Sequence, residues 1–172
     1  MFLNFLKDFA AKKIVKRNLA GEKSQPLDGK VETVGILIDE SVFLKKDALI
    51  DALVAARIRE DYIRILAYRE RIRKSDVFNY PIFSHADLNW SGLVEKSEIQ
   101  AFDKVKFDLL INYFDTEKTP LMLVAQQSAA AFKVGFASVD KRLNHFMIDT
   151  TVDEHQVFTD ELIRYLKILN KL

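Results

Sequence analysis

The chain has 172 residues, of which 49% are hydrophobic and 30% are charged, and its formal net charge is +1. These values are typical of one globular domain, and they argue against a disordered chain or a strongly basic nucleic-acid-binding protein. The absence of cysteine excludes disulfides, thiolate nucleophiles and cysteine-based metal sites, and it is typical of a reducing compartment. No stretch approaches the roughly 20 apolar residues of a membrane span. The sequence therefore predicts a cytoplasmic protein.

Residues 1–19 predict an amphipathic helix. Five basic residues lie mainly away from its apolar face, against a single acid, Asp8. The apolar face is formed by Phe2, Phe5, Leu6, Phe9, Ala10 and Ile14. One interpretation is a helix that makes a peripheral contact with an anionic membrane or a partner; the other is a helix that covers the sheet or forms the seam of a homo-oligomer. Residues 20–30 are mostly polar and predict a connector.

Residues 31–172 predict a single α/β domain. Strands are expected at 31–39, 62–68, 77–83, from 107, at 133–136 and at 145–149, and helices at 43–58, 97–104, from 119, and at the C-terminus. The first strand is apolar over several successive positions, which predicts a central place in the sheet, whereas alternation in the second predicts a place nearer an edge. Strands that alternate with helices predict a Rossmann-like, three-layer α/β/α fold with a mostly parallel sheet of about five strands.

The clearest unit runs from Phe107 to Phe136. The segment FDLLINYF is almost continuously apolar, as expected of a parallel strand covered on both faces. A polar turn follows, and then a helix with Thr119 as its N-cap and Pro120 at its first position. The segment KVGF ends the unit with a short strand, so the sequence predicts a βαβ arrangement.

Three stretches together carry a resemblance: DLNWSG at 87–92, FDLLINYF followed by Pro120, and AAFKVGF at 130–136. With the basic N-terminal helix, they resemble a family of small bacterial proteins of unknown function. The resemblance implies an α/β domain and supplies no activity, ligand or catalytic residue. This chain departs from the family pattern at Asn112, where an acid is common, and at Phe136, where a basic residue is common.

A weaker similarity connects the DLLIN and VG segments with the N-terminal Rossmann-like half of GT-B-type sugar transferases. It is an analogy at the level of the fold, because the donor-binding second domain of such enzymes is absent from this chain.

Carboxylates follow several predicted strands. Asp39, Glu40, Asp115 and Asp149 stand where parallel strands end, the edge at which such sheets bind ligands. They could converge to hold Mg²⁺ or to act as general acids and bases. Alternatively, they cap the next helix or face water. The turn after the first strand has two acids and no glycine, which argues against a dinucleotide or P-loop site.

Two further stretches could bind a small molecule. The turn from Asp115 to Thr119 precedes a helix whose N-terminal N–H groups could hold an anion beside Lys118. Trp90 could stack on a sugar or a base, with Asp87 and Asn89 as hydrogen-bonding neighbours, or it could simply plug the end of the core. The ligand-binding candidates are Asp39, Ser41, Asp87, Asn89, Trp90, Asn112, Asp115, Thr116 and Thr119.

No catalytic triad, HExxH motif or metal-ligand spacing occurs in the sequence. The arginines between 57 and 74 are interleaved with acids, which predicts a solvated face instead of a nucleic-acid groove. We therefore predict no catalytic residue, metal or cofactor, and a non-enzymatic binding or protein-interaction module. The alternative is a domain or enzyme that binds a sugar or phosphorylated metabolite at the carboxyl edge and the Trp90 loop.

Overall fold

The computed structural model describes Lys13, residues 29–89 and residues 96–172. The predictions for the helix at 1–19, for most of the connector and for Trp90 lie outside these residues.

Within the described residues, one sheet contains six strands, all parallel. They are β1 (Val34–Asp39), β2 (Ile63–Tyr68), β3 (Ile82–Phe83), β4 (Leu109–Tyr113), β5 (Phe132–Phe136) and β6 (Phe146–Ile148). Their order across the sheet is β3-β2-β1-β4-β5-β6. The Rossmann-like α/β prediction is confirmed: the sheet is wholly parallel, and its six strands overlap the six predicted segments. β1 is central and β2 lies next to the edge strand, as the sequence predicted.

Four α-helices occur in the described ranges: α1 (Lys46–Ala55), α2 (Ser97–Asp103), α3 (Thr119–Gln127) and α4 (His155–Ile168). The helices pack in two pairs: α1 contacts α4, and α2 contacts α3. The strand side chains follow the same division: Leu37 and Leu110 pack with α2 and α3, whereas Ile36 and Ile38 pack with α1 and α4. The sheet therefore separates two cores and two helical layers, as expected of strands buried on both faces.

Asp108 explains why β1 begins at Val34 and not at residue 31. Its Oδ2 accepts hydrogen bonds from the backbone N–H groups of Glu32, at 3.0 Å, and Thr33, at 2.8 Å. The backbone before Val34 is therefore bonded to a side chain, and the ladder with β2 and β4 starts one residue later.

The third strand is much shorter than predicted. It contains only Ile82 and Phe83, whereas a strand over 77–83 was expected. Pro81, which precedes it, has no N–H to donate to a ladder, and further upstream Asp76 Oδ2 accepts from the N–H of Arg73 in a local turn. The β2–β3 connection contains no helix.

The ends of α1 also differ from the predicted 43–58. Phe43 belongs to the preceding turn, because its N–H donates to the carbonyl of Asp39 at 3.1 Å and its ring is buried. At the other end Arg57 has a φ of 73° and Ile58 donates to the carbonyl of Leu53 at 3.1 Å. This is the left-handed arrangement that ends helices.

α3 begins at Thr119, so the prediction of Thr119 as the N-cap was wrong by one residue. Lys118 takes the N-cap position, without a side-chain capping bond, and Pro120 lies in the first turn. The missing N–H of Pro120 costs nothing there, because N–H groups in the first turn have no partner within the helix.

The strand order reverses between β1 and β4. From β1 the chain moves outward through β2 to β3, and from β4 it moves outward the other way through β5 to β6. The connections diverge at the carboxyl ends of β1 and β4, which leaves a crevice where doubly wound proteins bind ligands. This edge is therefore the place to look for a site.

Candidate functional site

Asp39, the last residue of β1, is joined to the start of α3 by a buried ion pair. Lys118 Nζ lies 2.6 Å from Asp39 Oδ2 and 2.9 Å from Glu70 Oε1, and the Asp39 side chain is 1% exposed. The other carboxylate oxygen, Oδ1, accepts from the N–H of Ser41 at 3.0 Å. The Ser41 Oγ in turn accepts from the N–H of Glu70 at 2.9 Å. These contacts hold the ends of β1, β2 and β4 together.

Glu40 organises a second cluster beside the first. Its Oε2 accepts from Arg69 Nε at 3.1 Å and from the Tyr80 hydroxyl at 2.8 Å. Lys46 Nζ lies 3.4 Å from Oε1, which is an ion pair without a well-aligned hydrogen bond. Lys46 also lies over the ring of Tyr80, at 4.3 Å from its centroid. The buried Glu40 carboxylate is thus neutralised from two sides.

The pKa shifts agree with these contacts. Burial alone disfavours the charged form of Lys118, but its hydrogen bonds to Asp39 and Glu70 outweigh burial and raise its pKa. The hydrogen bond from Lys118 lowers the pKa of Glu70. Burial and the hydrogen bond to Glu40 raise the pKa of the Tyr80 hydroxyl. At neutral pH the ammonium stays charged and the phenol stays neutral, so neither is suited to act as a general base.

A pocket of about 360 Å³ opens next to these clusters. It is lined by Tyr68, Glu70, His85, Glu117, Lys118, Thr119 and Pro120. Thr119 is the one ligand-binding candidate in the described residues that lines it. Two of the lining residues are acids, and the one ammonium group is already shared between two carboxylates. The pocket is therefore poorly matched to a phosphate and better matched to a neutral polar group.

Asn112 lies inside the core and away from this pocket. Its Nδ2 donates to Asn144 Oδ1 at 2.8 Å, and both side chains are buried. Asn112 Oδ1 and Asn144 Nδ2 have no hydrogen-bond partner. Asn144 lies over Gly135, where a Cβ would overlap the Asn144 amide. The pair fixes the 137–145 loop to the sheet.

The other predicted candidates make local contacts. Asp115 Oδ2 accepts from the N–H of Val152 at 3.3 Å, and the Thr116 hydroxyl donates to Asp115 Oδ1 at 3.3 Å. Asp87 Oδ2 accepts from the N–H of Ser84 at 2.7 Å and belongs to a capping box. Asp39 and Asp115 therefore serve different loops and do not converge on one ligand position. Asn89 is half-buried and makes polar contacts of its own.

The β1–α1 turn presents apolar side chains to solvent. Val42 is 52% exposed and Leu44 is 67% exposed, on either side of buried Phe43. The Phe43 ring lies 5.7 Å from that of His155, so the turn lies beside the start of α4. Val157 is also exposed near that point. Sequence reasoning missed this feature, although the VFL segment after two acids was a visible signal.

The partners of the two carboxylates were also missed. Arg69 and Glu70 were considered only within the charged segment after the second strand, and Lys118 only as a neighbour of a possible anion site. Tyr80 was considered only as part of the predicted third strand, and Lys46 lay inside a predicted helix. These partners of Asp39 and Glu40 come from four separate segments of the chain. The rule that parallel strands end at one edge of the sheet predicts that only some of these segments lie close together.

Among the described residues, no group of three or more His, Asp or Glu side chains could hold a metal ion. A search of the same residues finds no helix with the length and apolar character needed to cross a membrane.

Fold and site define the class of protein: a doubly wound α/β domain whose candidate site lies at the carboxyl edge of the sheet, at the point where strand order reverses. A family model matches residues 7–169, and the chain belongs to this family, a family of unknown function (DUF6913). No curated protein and no solved structure matches the chain. Function must therefore be argued from the site itself.

Proposed function

We propose that the protein is a non-enzymatic binding module that docks a protein partner on the carboxyl edge of its sheet. The observation that carries this proposal is the exposure of Val42 and Leu44 in the β1–α1 turn. In nucleotide-binding proteins with a doubly wound fold, the turn after the first strand brings backbone N–H groups close to phosphate. Here the turn offers two branched aliphatic side chains, which gain most from contact with another apolar surface.

The paired charges beside the turn support the same proposal. Asp39 and Glu40 are buried and already neutralised by Lys118, Arg69 and Lys46. A general base or a metal ligand needs a free lone pair aimed at its target. Side chains locked to one another instead form a rigid floor, and a rigid surface loses little conformational entropy when a partner binds.

A matched pair of substitutions tests this proposal. Leu44→Asp places a charge at the edge, and Ile168→Asp places one on α4 at the opposite edge, where Ile168 is 68% exposed against 67% for Leu44. We expect the affinity-tagged wild-type protein and the Ile168→Asp variant to retain the same partner, and Leu44→Asp to weaken its retention about tenfold or more. Equal retention by both variants would exclude docking at this edge.

A second candidate function rests on the 360 Å³ pocket lined by Tyr68 and His85. A sugar or phosphorylated metabolite was the alternative predicted from the sequence, and the fold-level analogy with the N-terminal half of GT-B-type sugar transferases favours sugars. The acids Glu70 and Glu117 favour a neutral sugar, whose hydroxyls can donate to carboxylates. Ligand-observed NMR should then detect neutral sugars, with the signal lost in His85→Ala and kept in His155→Ala. Preferential binding of sugar phosphates would contradict this assignment.

We assign the module to the cytoplasm as part of the same proposal. The support is the complete absence of cysteine, since secreted domains of this size often use disulfides.

A further inference from the structure

The β2–β3 loop, residues 69–81, presents three cations to solvent. Arg71, Arg73 and Lys74 are exposed, and none of them makes an ion pair with another described residue. In the sequence these cations stand among acids, a pattern typical of a balanced and solvated face. In the folded chain, most of those acids are bonded to other groups.

The loop contains two acids, Glu70 and Asp76. Glu70 Oε1 lies 2.9 Å from Lys118 Nζ, and the charge of Arg71 acts on Glu70 more weakly than Lys118 does. Asp76 Oδ2 accepts from the backbone N–H of Arg73 at 3.0 Å. At this edge three carboxylates are matched by three cations: Asp39, Glu40 and Glu70 by Lys118, Arg69 and Lys46. Asp76 is therefore the one carboxylate of the loop that offsets its three exposed cations.

Half-buried side chains hold the loop in place and leave its cations at the surface. Ile72, Phe78 and Tyr80 pack against the core on the α1 side of the sheet. Arg71 and Arg73 flank Ile72 in the chain, and both are exposed. The positive charges are thus carried by a segment that is anchored to the domain.

Both ends of the loop are bonded to the β1–α1 turn. The N–H of Glu70 donates to Ser41 Oγ at 2.9 Å, and the Tyr80 hydroxyl donates to Glu40 Oε2 at 2.8 Å. The loop therefore lies beside the turn on which the proposed docking edge depends.

Exposed aliphatic side chains occur on both segments. Val42 and Leu44 belong to the turn, and Val77, which is 93% exposed, belongs to the loop. Apolar side chains bordered by polar and charged ones are the usual composition of a protein interface. The excess of positive charge at this border is complementary to an acidic partner.

We propose that the partner presents an acidic segment to this surface, with its apolar side chains against Val42, Leu44 and Val77 and its carboxylates facing the loop cations. This inference rests on the proposed function and adds the chemistry of the partner. Opposite charges at the rim of an interface mainly increase the rate of association and the choice of partner. The loop cations then determine how fast the partner binds, and the aliphatic side chains determine how long it stays.

A single-stranded nucleic acid also carries negative charge, but it is held by bases that stack on aromatic side chains. Arg69 lies over the Phe78 ring, at 5.0 Å from its centroid, and Lys46 lies over the Tyr80 ring at 4.3 Å. Both aromatic rings of the loop are therefore engaged by cations of this chain. The exposed side chains beside them are aliphatic, which favours an acidic protein segment over a nucleic acid.

A phage-displayed library of short random peptides, selected on the full-length protein, supplies a defined probe. We expect it to enrich peptides that combine Asp or Glu with large apolar residues. Surface plasmon resonance then measures the association and dissociation rates of an enriched peptide. The loop variant carries Arg71→Ser, Arg73→Ser and Lys74→Ser, and the matched control carries Lys104→Ser, Lys106→Ser and Lys167→Ser, three exposed cations at the amino edge.

At low ionic strength we expect the loop variant to lose about tenfold or more in association rate, with little change in dissociation rate. The control should behave as the wild type does. Leu44→Ser, which removes apolar contact without adding charge, should instead increase the dissociation rate.

The outcomes separate this inference from the proposed function. Weaker binding by Leu44→Ser together with unchanged binding by the loop variant would leave docking at this edge intact and overturn the acidic partner. Enrichment of neutral or basic peptides would overturn it in the same way. Unchanged binding by both variants, or no enriched peptide, would contradict both proposals. A single-stranded oligonucleotide that binds the wild type and not the loop variant would assign the cations to nucleic acid and overturn this inference.

Discussion

Lys118, at the start of α3, and Asp39, at the end of β1, form an ion pair at 2.6 Å across the point where strand order reverses. The pair occupies the crevice where doubly wound proteins commonly bind ligands. The Asp39 carboxylate is buried, so its partner cannot be removed without leaving a charge in a poorly solvated position.

We therefore expect Lys118→Met to destabilise the protein by on the order of 3 kcal/mol, because Asp39 loses its compensating charge. Urea denaturation of the variant and the wild type measures this difference. Arg164→Met is the control, since Arg164 pairs with Glu161 on the exposed side of α4 and should cause no measurable change. An equally stable Lys118→Met variant would show that the carboxyl edge is not held by this pair.

Gly135 and Asn144 should show strongly non-additive substitutions. Gly135→Ala places a Cβ against the Asn144 amide and should cost about 2 kcal/mol through overpacking. In an Asn144→Ala background the overlap is absent, so the stability lost through Gly135→Ala should fall to a few tenths of a kcal/mol. Thermal or urea unfolding of the four proteins gives the coupling energy. Additive costs would mean that Asn144 moves aside freely.

Asp103 should make stability depend on pH. Burial raises the pKa of its carboxyl to about 7 from 3.8, although the charge of Lys133 opposes the shift. The folded state then holds a proton that the unfolded state has lost between about pH 4 and pH 7. Stability from this group is therefore fully present below about pH 4 and is lost as the pH rises towards 7.

A variant without the Asp103 carboxyl should not lose stability in this way as the pH rises. Asp103→Asn should be more stable than the wild type above pH 7, by about 4 kcal/mol relative to their difference at pH 4. Urea midpoints measured across this range provide the check, and Asp51→Asn, on the exposed side of α1, provides the control. Parallel profiles for Asp103→Asn and the wild type would show that the carboxyl titrates normally.

The fold could be predicted because buried parallel strands leave a local signal. The runs around Ile36 and Ile111 are apolar at successive positions and are bounded by short polar turns, which is typical of strands covered on both faces. The residues at which strands and helices begin and end were harder to predict. The start of β1 depends on Asp108, more than 70 residues away, and no local pattern around residue 31 reveals that bond.

The sequence pointed to the carboxyl edge as the place of a candidate site, but not to the contacts made there. The rule that ligands bind at strand carboxyl ends selected Asp39, and the helix that begins before Pro120 selected Thr119. Both lie at that edge of the sheet, and their role in binding a ligand stays a prediction. Neither observation could show that Lys118 would reach both Asp39 and Glu70, because three segments meet there only in the folded chain. Asn112 was a candidate because it departs from the family pattern at a position where an acid is common, and its partner Asn144 lies 32 residues further on.

Site-specific photo-crosslinking in the native host tests the central proposal most directly. A benzophenone side chain would replace Leu44 in one protein and Ile168 in another, two positions of nearly equal exposure at opposite edges of the molecule. Docking on the carboxyl edge predicts one discrete protein adduct from position 44 and none of the same mass from position 168. Identical adducts from both positions, or none from position 44 while the protein co-purifies with a small molecule, would contradict it.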